Sequence, residues 1–200
     1  MKNLIAIIIC SSSIYSACCQ SIGLKANTQF SANNETNNAF GGGLYININD
    51  FSRKIECVLY CDYLIKKNEF KNCAECPTKE VSSSYQNLSI GISGLWVNTI
   101  QSNVKFKMGP ALSYNNLVAS RQGQIANWIE TFKANYIGTG LLTNIQFQQI
   151  FKLPLNFEIF IFPAYLINIK NETKPTGIKS EYAGNQKLLN MQLGLSYIIK

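Results

Sequence analysis

The chain has 200 residues with 18 basic and 11 acidic side chains, a net charge of +7, charged residues at only 14%, and no histidine. That length suits a single domain, and the charged fraction is well below the usual quarter. The lack of histidine excludes Ser-His and Cys-His nucleophilic pairs and His-containing metal sites, and beyond the N-terminus no run reaches the ~18 apolar residues of a membrane-spanning helix.

The chain opens Met1-Lys2-Asn3, continues with an apolar core from Leu4 to Cys10 and a Ser-rich stretch, and reaches Ser16, Ala17, Cys18 and Cys19 before Gln20. This order is that of a secretory signal peptide. Cleavage after Cys19 makes residues 1–19 the signal and 20–200 the mature domain. Cleavage after Ala17 is the close alternative, and lipidation of Cys18 a weaker one, because Tyr15 stands where such motifs want an aliphatic residue. An exported chain has no expected nucleic-acid partner, and its basic segments, Lys66 to Lys79 and Lys170 to Lys187, lack the interleaved aromatics of single-strand binders.

Strict alternation of apolar and polar residues then recurs eight times, which predicts eight strands. In the first, Ile22, Leu24, Ala26, Thr28 and Phe30 oppose Gly23, Lys25, Asn27 and Gln29. In the second, Phe40, Leu44, Ile46 and Ile48 oppose Gly41, Gly43, Tyr45 and Asn47. The third sets Ile55, Cys57, Leu59, Cys61, Tyr63 and Ile65 against Glu56, Val58, Tyr60, Asp62 and Leu64, and the fourth sets Leu88, Ile90, Ile92 and Trp96 against Asn87, Ser89, Gly91 and Ser93. In the fifth, Val104, Phe106, Met108, Leu112 and Tyr114 oppose Lys105, Lys107, Gly109, Ala111 and Ser113. The sixth places Ile137, Leu141, Ile145 and Phe147 against Gly138, Gly140, Asn144 and Gln146. The seventh is apolar on both faces, with Asn156, Glu158 and Asn168 its polar members, and the eighth sets Leu189, Met191, Leu193, Leu195, Tyr197 and Ile199 against Asn190, Gln192, Gly194 and Ser196.

A face bearing Gly, Asn and Lys cannot form a sandwich core, so the apolar face is the covered one. Lipid covers it if the sheet closes, since in hydrocarbon only an edgeless sheet pairs every backbone group. The expected fold is all-β: an eight-stranded antiparallel up-and-down transmembrane β-barrel behind a cleaved signal peptide. Long connections (Ser31 to Ala39, Lys66 to Ser84, Asn115 to Lys133, Lys170 to Gln186) alternate with short ones (Asn49 to Lys54, Val97 to Asn103, Gln148 to Pro154), as they do where long loops face outward and short turns face the periplasm. Aromatics on the apolar face fall into two girdles, Phe30, Phe40, Tyr63, Tyr114 and Tyr165 at the long-loop end and Trp96, Phe106, Phe147, Phe157 and Tyr197 at the other. Pro110 and Pro163 fall inside strands, where a missing donor predicts a local bulge.

The mature chain resembles the PorT-like outer-membrane β-barrel domain family of Bacteroidota. The resemblance rests on Ile22-Gly23-Leu24-Lys25-Ala26-Asn27, on Gly109-Pro110-Ala111-Leu112-Ser113-Tyr114, on Gly138-Thr139-Gly140 and on Gln192-Leu193-Gly194-Leu195-Ser196-Tyr197. It implies the barrel and carries no catalytic residue. The chain ends Tyr197-Ile198-Ile199-Lys200, where barrels of this kind end on the aromatic that the assembly machinery reads.

Cys57 and Cys61 share a strand about 13 Å apart, too far for one metal ion, so the four mature cysteines do not form a zinc site. Cys73 and Cys76 lie in a long polar connection in an oxidising compartment and are read as a local disulfide, with free thiols as the alternative. Lys25, Lys105 and Lys107 share the inward face with Glu56, Asp62 and Glu158 and are read as a neutralising network rather than acid/base machinery. Eight-stranded barrels are just wide enough for side chains to fill, and Tyr45, Tyr60, Phe160 and Phe162 fill this one. The expected protein is not an enzyme, has no cofactor, and acts structurally or by surface interaction through its long loops. Its expected partners are outer-membrane lipid, the assembly machinery, and surface polysaccharide or a protein bound by the loops. A narrow channel or an accessory of a secretion or uptake system is the alternative.

Overall fold

The alternating segments pair side by side, because each strand's exposed backbone groups find partners only on another strand. The computed structural model describes residues 19–31, 39–49, 54–73, 76–123, 129–171 and 184–199, with 19, 20, 31, 49, 67–73, 76–83, 121–123, 129 and 130 given by their backbone alone. The expected signal peptide, up to Cys18, lies outside the described residues. The strands are β1 (Cys19–Ser31), β2 (Ala39–Asn49), β3 (Ile55–Cys73), β4 (Cys76–Gln101), β5 (Val104–Gly123), β6 (Ile129–Phe147), β7 (Leu155–Asn171) and β8 (Gln186–Ile198). Each pairs antiparallel with its chain neighbours, and β1 closes on β8 from Ser21 opposite Ile198 to Ser31 opposite Leu188.

The ordinary rule of burial is inverted. Lys25, Asn27, Gln29, Glu56, Asp62, Lys107 and Glu158 are buried, whereas Leu24 and Leu193 are 66% and 55% exposed. An apolar belt of this kind must be covered, and around a closed sheet the cover is a bilayer. On β8 the belt runs from Leu189 to Tyr197, about 26 Å along the strand and about 20 Å of bilayer at a tilt of ~40°.

The first and last strands begin and end at the same rim as the short turns, which is the periplasmic rim of such barrels. Each short turn is tied to the neighbouring hairpin. Val97 N–H donates to the Lys54 carbonyl (2.8 Å), Gln148 N–H to Asn103 (2.7 Å) and Ile198 N–H to Pro154 (2.9 Å). The β6–β7 turn contains a single 3₁₀ turn, Ile150–Lys152, with left-handed backbone at Gln149, Phe151 and Lys152.

Two expectations are corrected. The connections Lys66 to Ser84 and Asn115 to Lys133 are mostly strand: pairing continues to Cys73 opposite Cys76, Val81 opposite Gly123, and Gln122 opposite Ile129. The short connection Val97 to Asn103 likewise contracts to Ser102-Asn103, since β4 runs to Gln101. Alternation fades where both faces of a strand meet water, yet the ladder does not need it. The ends of the other two long connections agree with the sequence reading, Ser31 against Ala39 and Asn171 against Gln186.

The prolines are the second correction, since neither makes a bulge. Opposite Pro110 the β4–β5 pairs stop at Ser93–Ala111 and resume at Trp96–Met108 in the same register, while Pro110 stays paired to Leu141 on β6. At Pro163 the β6–β7 pairs skip from Gly140–Ala164 to Thr143–Ile161, while Pro163 stays opposite Leu189 on β8. Each proline thus opens a gap on one side only, where its missing donor would have pointed. Beside the second gap the Thr143 hydroxyl donates to the Ile161 carbonyl at 3.1 Å. The register shifts that do occur lie elsewhere, for example between Asn135 and Tyr136.

Candidate functional site

Inward side chains of β1, β2, β3, β5, β6, β7 and β8 converge on two charged centres. In the first, Lys25 of β1 reaches Asp62 of β3 at 3.0 Å and donates to Gln192 Oε1 of β8 at 2.9 Å, while Gln192 Nε2 donates to Asp62 at 3.2 Å. The Lys25 ammonium also stands 4.4 Å from the centre of the Tyr60 ring, a cation–π contact strengthened by desolvation.

The second centre is built on Glu158 of β7. Its carboxylate accepts from Tyr45 Oη (3.0 Å), Asn47 Nδ2 (3.3 Å), Asn144 Nδ2 (2.9 Å) and Ser196 Oγ (2.8 Å). Lys107 of β5 lies 4.0 Å away and binds Glu56 of β3 at 2.6 Å. One carboxylate thereby joins β2, β5, β6 and β8 across the lumen, the full set of partners that makes a buried charge tolerable. Lys105 lies half-buried nearer the periplasmic rim.

Of the six charged lumen residues read from the sequence, the structure brings Lys25 together with Asp62, and Lys107 with Glu56 and Glu158. The uncharged partners Asn47, Asn144, Gln192 and Ser196 were not singled out. Their inward parity was the available signal, because a buried carboxylate requires donors from the same face of neighbouring strands.

Bulky rings fill the remaining space, and glycines make room for them. A Cβ on Gly23 or Gly194 would meet the Tyr45 ring, and one on Gly91 the Tyr60 ring. Tyr45 packs edge-on to Phe160 with centroids 5.1 Å apart, and Tyr60 to Phe162 at 6.5 Å. Two apolar clusters result. One contains Tyr45, Val58, Tyr60, Leu95, Phe160 and Phe162. The other, towards the outer mouth, contains Leu64, Tyr85, Leu117, Phe132, Tyr136 and Leu166. A gap of about 10 Å³ bordered by Tyr60, Asp62, Asn87, Ser113 and Phe162 has room for one water molecule.

The outer surface carries the aromatics. Phe30, Phe40, Tyr63, Tyr114 and Tyr165 are exposed towards the outer rim. Trp96, Phe147 and Tyr197 are exposed near the periplasmic rim, with Phe106 and Phe157 half-buried among them and the Phe147 and Phe157 rings 6.2 Å apart. Cys57 and Cys61 are free thiols on this outward face. Cys73 and Cys76 face each other across the tip of the β3–β4 hairpin, and their side chains lie outside the described residues. Among the described residues no group of three or more His, Cys, Asp or Glu is placed to hold a metal ion.

No protein-family model matches the chain, and no curated protein matches it in sequence. Solved structures do match in shape. Neisserial surface protein A is 16% identical, with 92% of this chain and 98% of that one covered at a TM-score of 0.56. Ail, the attachment invasion locus protein of Yersinia pestis, in complex with the heparin analogue sucrose octasulfate, is 15% identical, with 91% and 97% covered at 0.55. A major outer membrane protein from Thermus thermophilus is 14% identical, with 90% and 99% covered at 0.60. The closed sheet, its apolar belt and these likenesses define the chain as an eight-stranded outer-membrane β-barrel. Its place is the outer membrane, with the ends of β1 and β8 at the periplasmic rim.

Proposed function

We propose that this barrel is a non-enzymatic surface-interaction protein whose contact surface is the part of β3–β6 standing above the bilayer. One observation carries this reading. Four neighbouring strands stay paired well past the outer girdle, to Cys73 opposite Cys76 and Gln122 opposite Ile129, so a polar sheet projects from one side of the barrel mouth. A sheet above the membrane adds nothing to insertion, whereas a polar surface carried on a scaffold suits recognition. The charge-paired, ring-filled interior argues against a solute path and supports placing the activity outside.

The test trims the β3–β4 hairpin between Lys67 and Ser84 and the β5–β6 hairpin between Ser120 and Thr131, two opposed pairs, to short turns. Since the similarly folded Ail holds a heparin analogue, immobilised heparin is the first probe, followed by immobilised matrix proteins. Cells displaying the full barrel bind and cells displaying the trimmed barrel do not, while both barrels keep heat-modifiable gel mobility. Equal binding by the two, or a stable single-channel conductance in planar bilayers, overturns the reading.

A further inference from the structure

The outward face of the outer rim is chemically lopsided. On β8, Lys187 stands opposite Tyr165 of β7 at the outer girdle. The Tyr165 hydroxyl accepts from Asn185 Nδ2 at 3.0 Å, and Asn185 Oδ1 in turn accepts from the Asn168 backbone N–H at 3.1 Å. This holds the phenol end at the polar side of the girdle. Higher on the same side, Lys170 of β7 stands opposite Asn135 of β6, with Lys133 two residues further along β6. Lys133, Lys170 and Lys187 are all exposed. Directly below them the outward surface is Ile137, Ile167 and Leu189, which face lipid. On the adjoining strands the outward positions at this height are uncharged: Asn116 and Val118 on β5, opposite Asn135 and Lys133, and Ser84 and Gln86 on β4.

We propose that this β6–β8 rim binds the phosphate groups of a phosphorylated glycolipid of the outer leaflet, with Lys170 and Lys187 as principal ligands, Lys133 beside them, and the Tyr165–Asn185 pair bordering the site. Acyl chains lie on the apolar belt beneath, which places a lipid-borne phosphate at the height where the lysines begin. A soluble anion lacks that second contact. Ammonium groups at a membrane surface attract anionic headgroups strongly enough for each to matter, and their long stems reach along apolar surface to do so. The site shares β6 with the projecting sheet but lies below the Ser120–Thr131 pair at which that sheet is trimmed, so the trimmed barrel keeps all three lysines and the two readings are tested separately.

The experiment titrates bis-phosphorylated lipid A into mixed micelles of the full barrel and follows the temperature at which heat-modifiable gel mobility is lost. Wild type shows a saturable rise. Each Lys→Gln change at positions 133, 170 and 187 raises the half-saturating concentration about fivefold, so the triple change raises it by about a hundredfold, while the triple Lys→Arg variant keeps wild-type behaviour. Dephosphorylated lipid A gives no saturable rise. An equal response from the triple Gln variant overturns the proposal, as does an equal response to dephosphorylated lipid A. Protection by a soluble heparin fragment that equals protection by lipid A and is lost in the triple Gln variant also overturns it, in favour of a free polyanion.

Discussion

Lys107 is the most informative residue to remove. Its side chain is fully buried, its ammonium binds Glu56 at 2.6 Å and lies 4.0 Å from Glu158. Replacing it with methionine keeps the volume and deletes the cation. Glu158 retains donors from Tyr45, Asn47, Asn144 and Ser196, so most of the cost falls on Glu56, which loses its ion-pair partner inside a closed lumen. Breaking one side of a buried pair costs about 3–5 kcal/mol, a large share of the ~5–15 kcal/mol that holds a typical domain together. With a urea dependence of about 1–3 kcal/mol per molar, the unfolding midpoint falls by about 2 M. The assay is a urea titration of the barrel in detergent micelles, read in parallel by tryptophan fluorescence and gel mobility. The double variant E56Q/K107M removes the orphaned charge and recovers at least half of the loss, giving a coupling energy of about 1–3 kcal/mol. A midpoint shift below about 0.3 M for K107M, or strict additivity of the two changes, refutes the account of the lumen as a charge-paired core.

Three further outcomes follow from the packing. Gly91→Ala drives a Cβ into the Tyr60 ring whereas Gly94→Ala meets nothing within 4 Å, so urea titration finds the first destabilised by about 1–3 kcal/mol and the second close to wild type. Phe132→Ala empties part of the apolar cluster at the outer mouth and costs about 3–5 kcal/mol in the same titration, whereas a residue in a loose loop would cost almost nothing. Leu193→Arg places a cation at mid-bilayer on the exposed face of β8; unfolding in vesicles shows a loss of about 2–4 kcal/mol, and an unchanged barrel would mean that this face does not meet hydrocarbon.

The transmembrane part of the barrel was legible because each residue there answers to lipid on one side or a narrow lumen on the other. Leu189 to Tyr197 and Lys25 to Gln29 declare their faces by parity alone. Above the membrane that signal weakened. Leu117, Ala119 and Phe132 continue the inward parity of β5 and β6, but their outward neighbours are polar or mixed, and the stretch resembled a loop. The charged lumen residues were legible as a set, since six charges on inward positions must neutralise one another. Their pairing was not, because Lys25 and Asp62 meet across Gly43 of β2, which stands opposite both, and that register exists only once the three strands are assembled. The prolines were misread as bulges for a related reason. Whether a missing donor forces a bulge depends on which neighbour it faced, and only the assembled sheet fixes that.

The central claim is that the leucine-rich face of these strands lies in lipid. Single tryptophans at Leu189, Leu193 and Tyr197, in a background with Trp96 and Trp128 replaced by phenylalanine, can be quenched by lipids brominated at defined acyl depths. The account predicts quenching at all three positions, with Leu193 quenched best by the deepest bromines and Leu189 and Tyr197 by the shallowest, from opposite leaflets. Fluorescence indifferent to the brominated lipids at all three positions would contradict it.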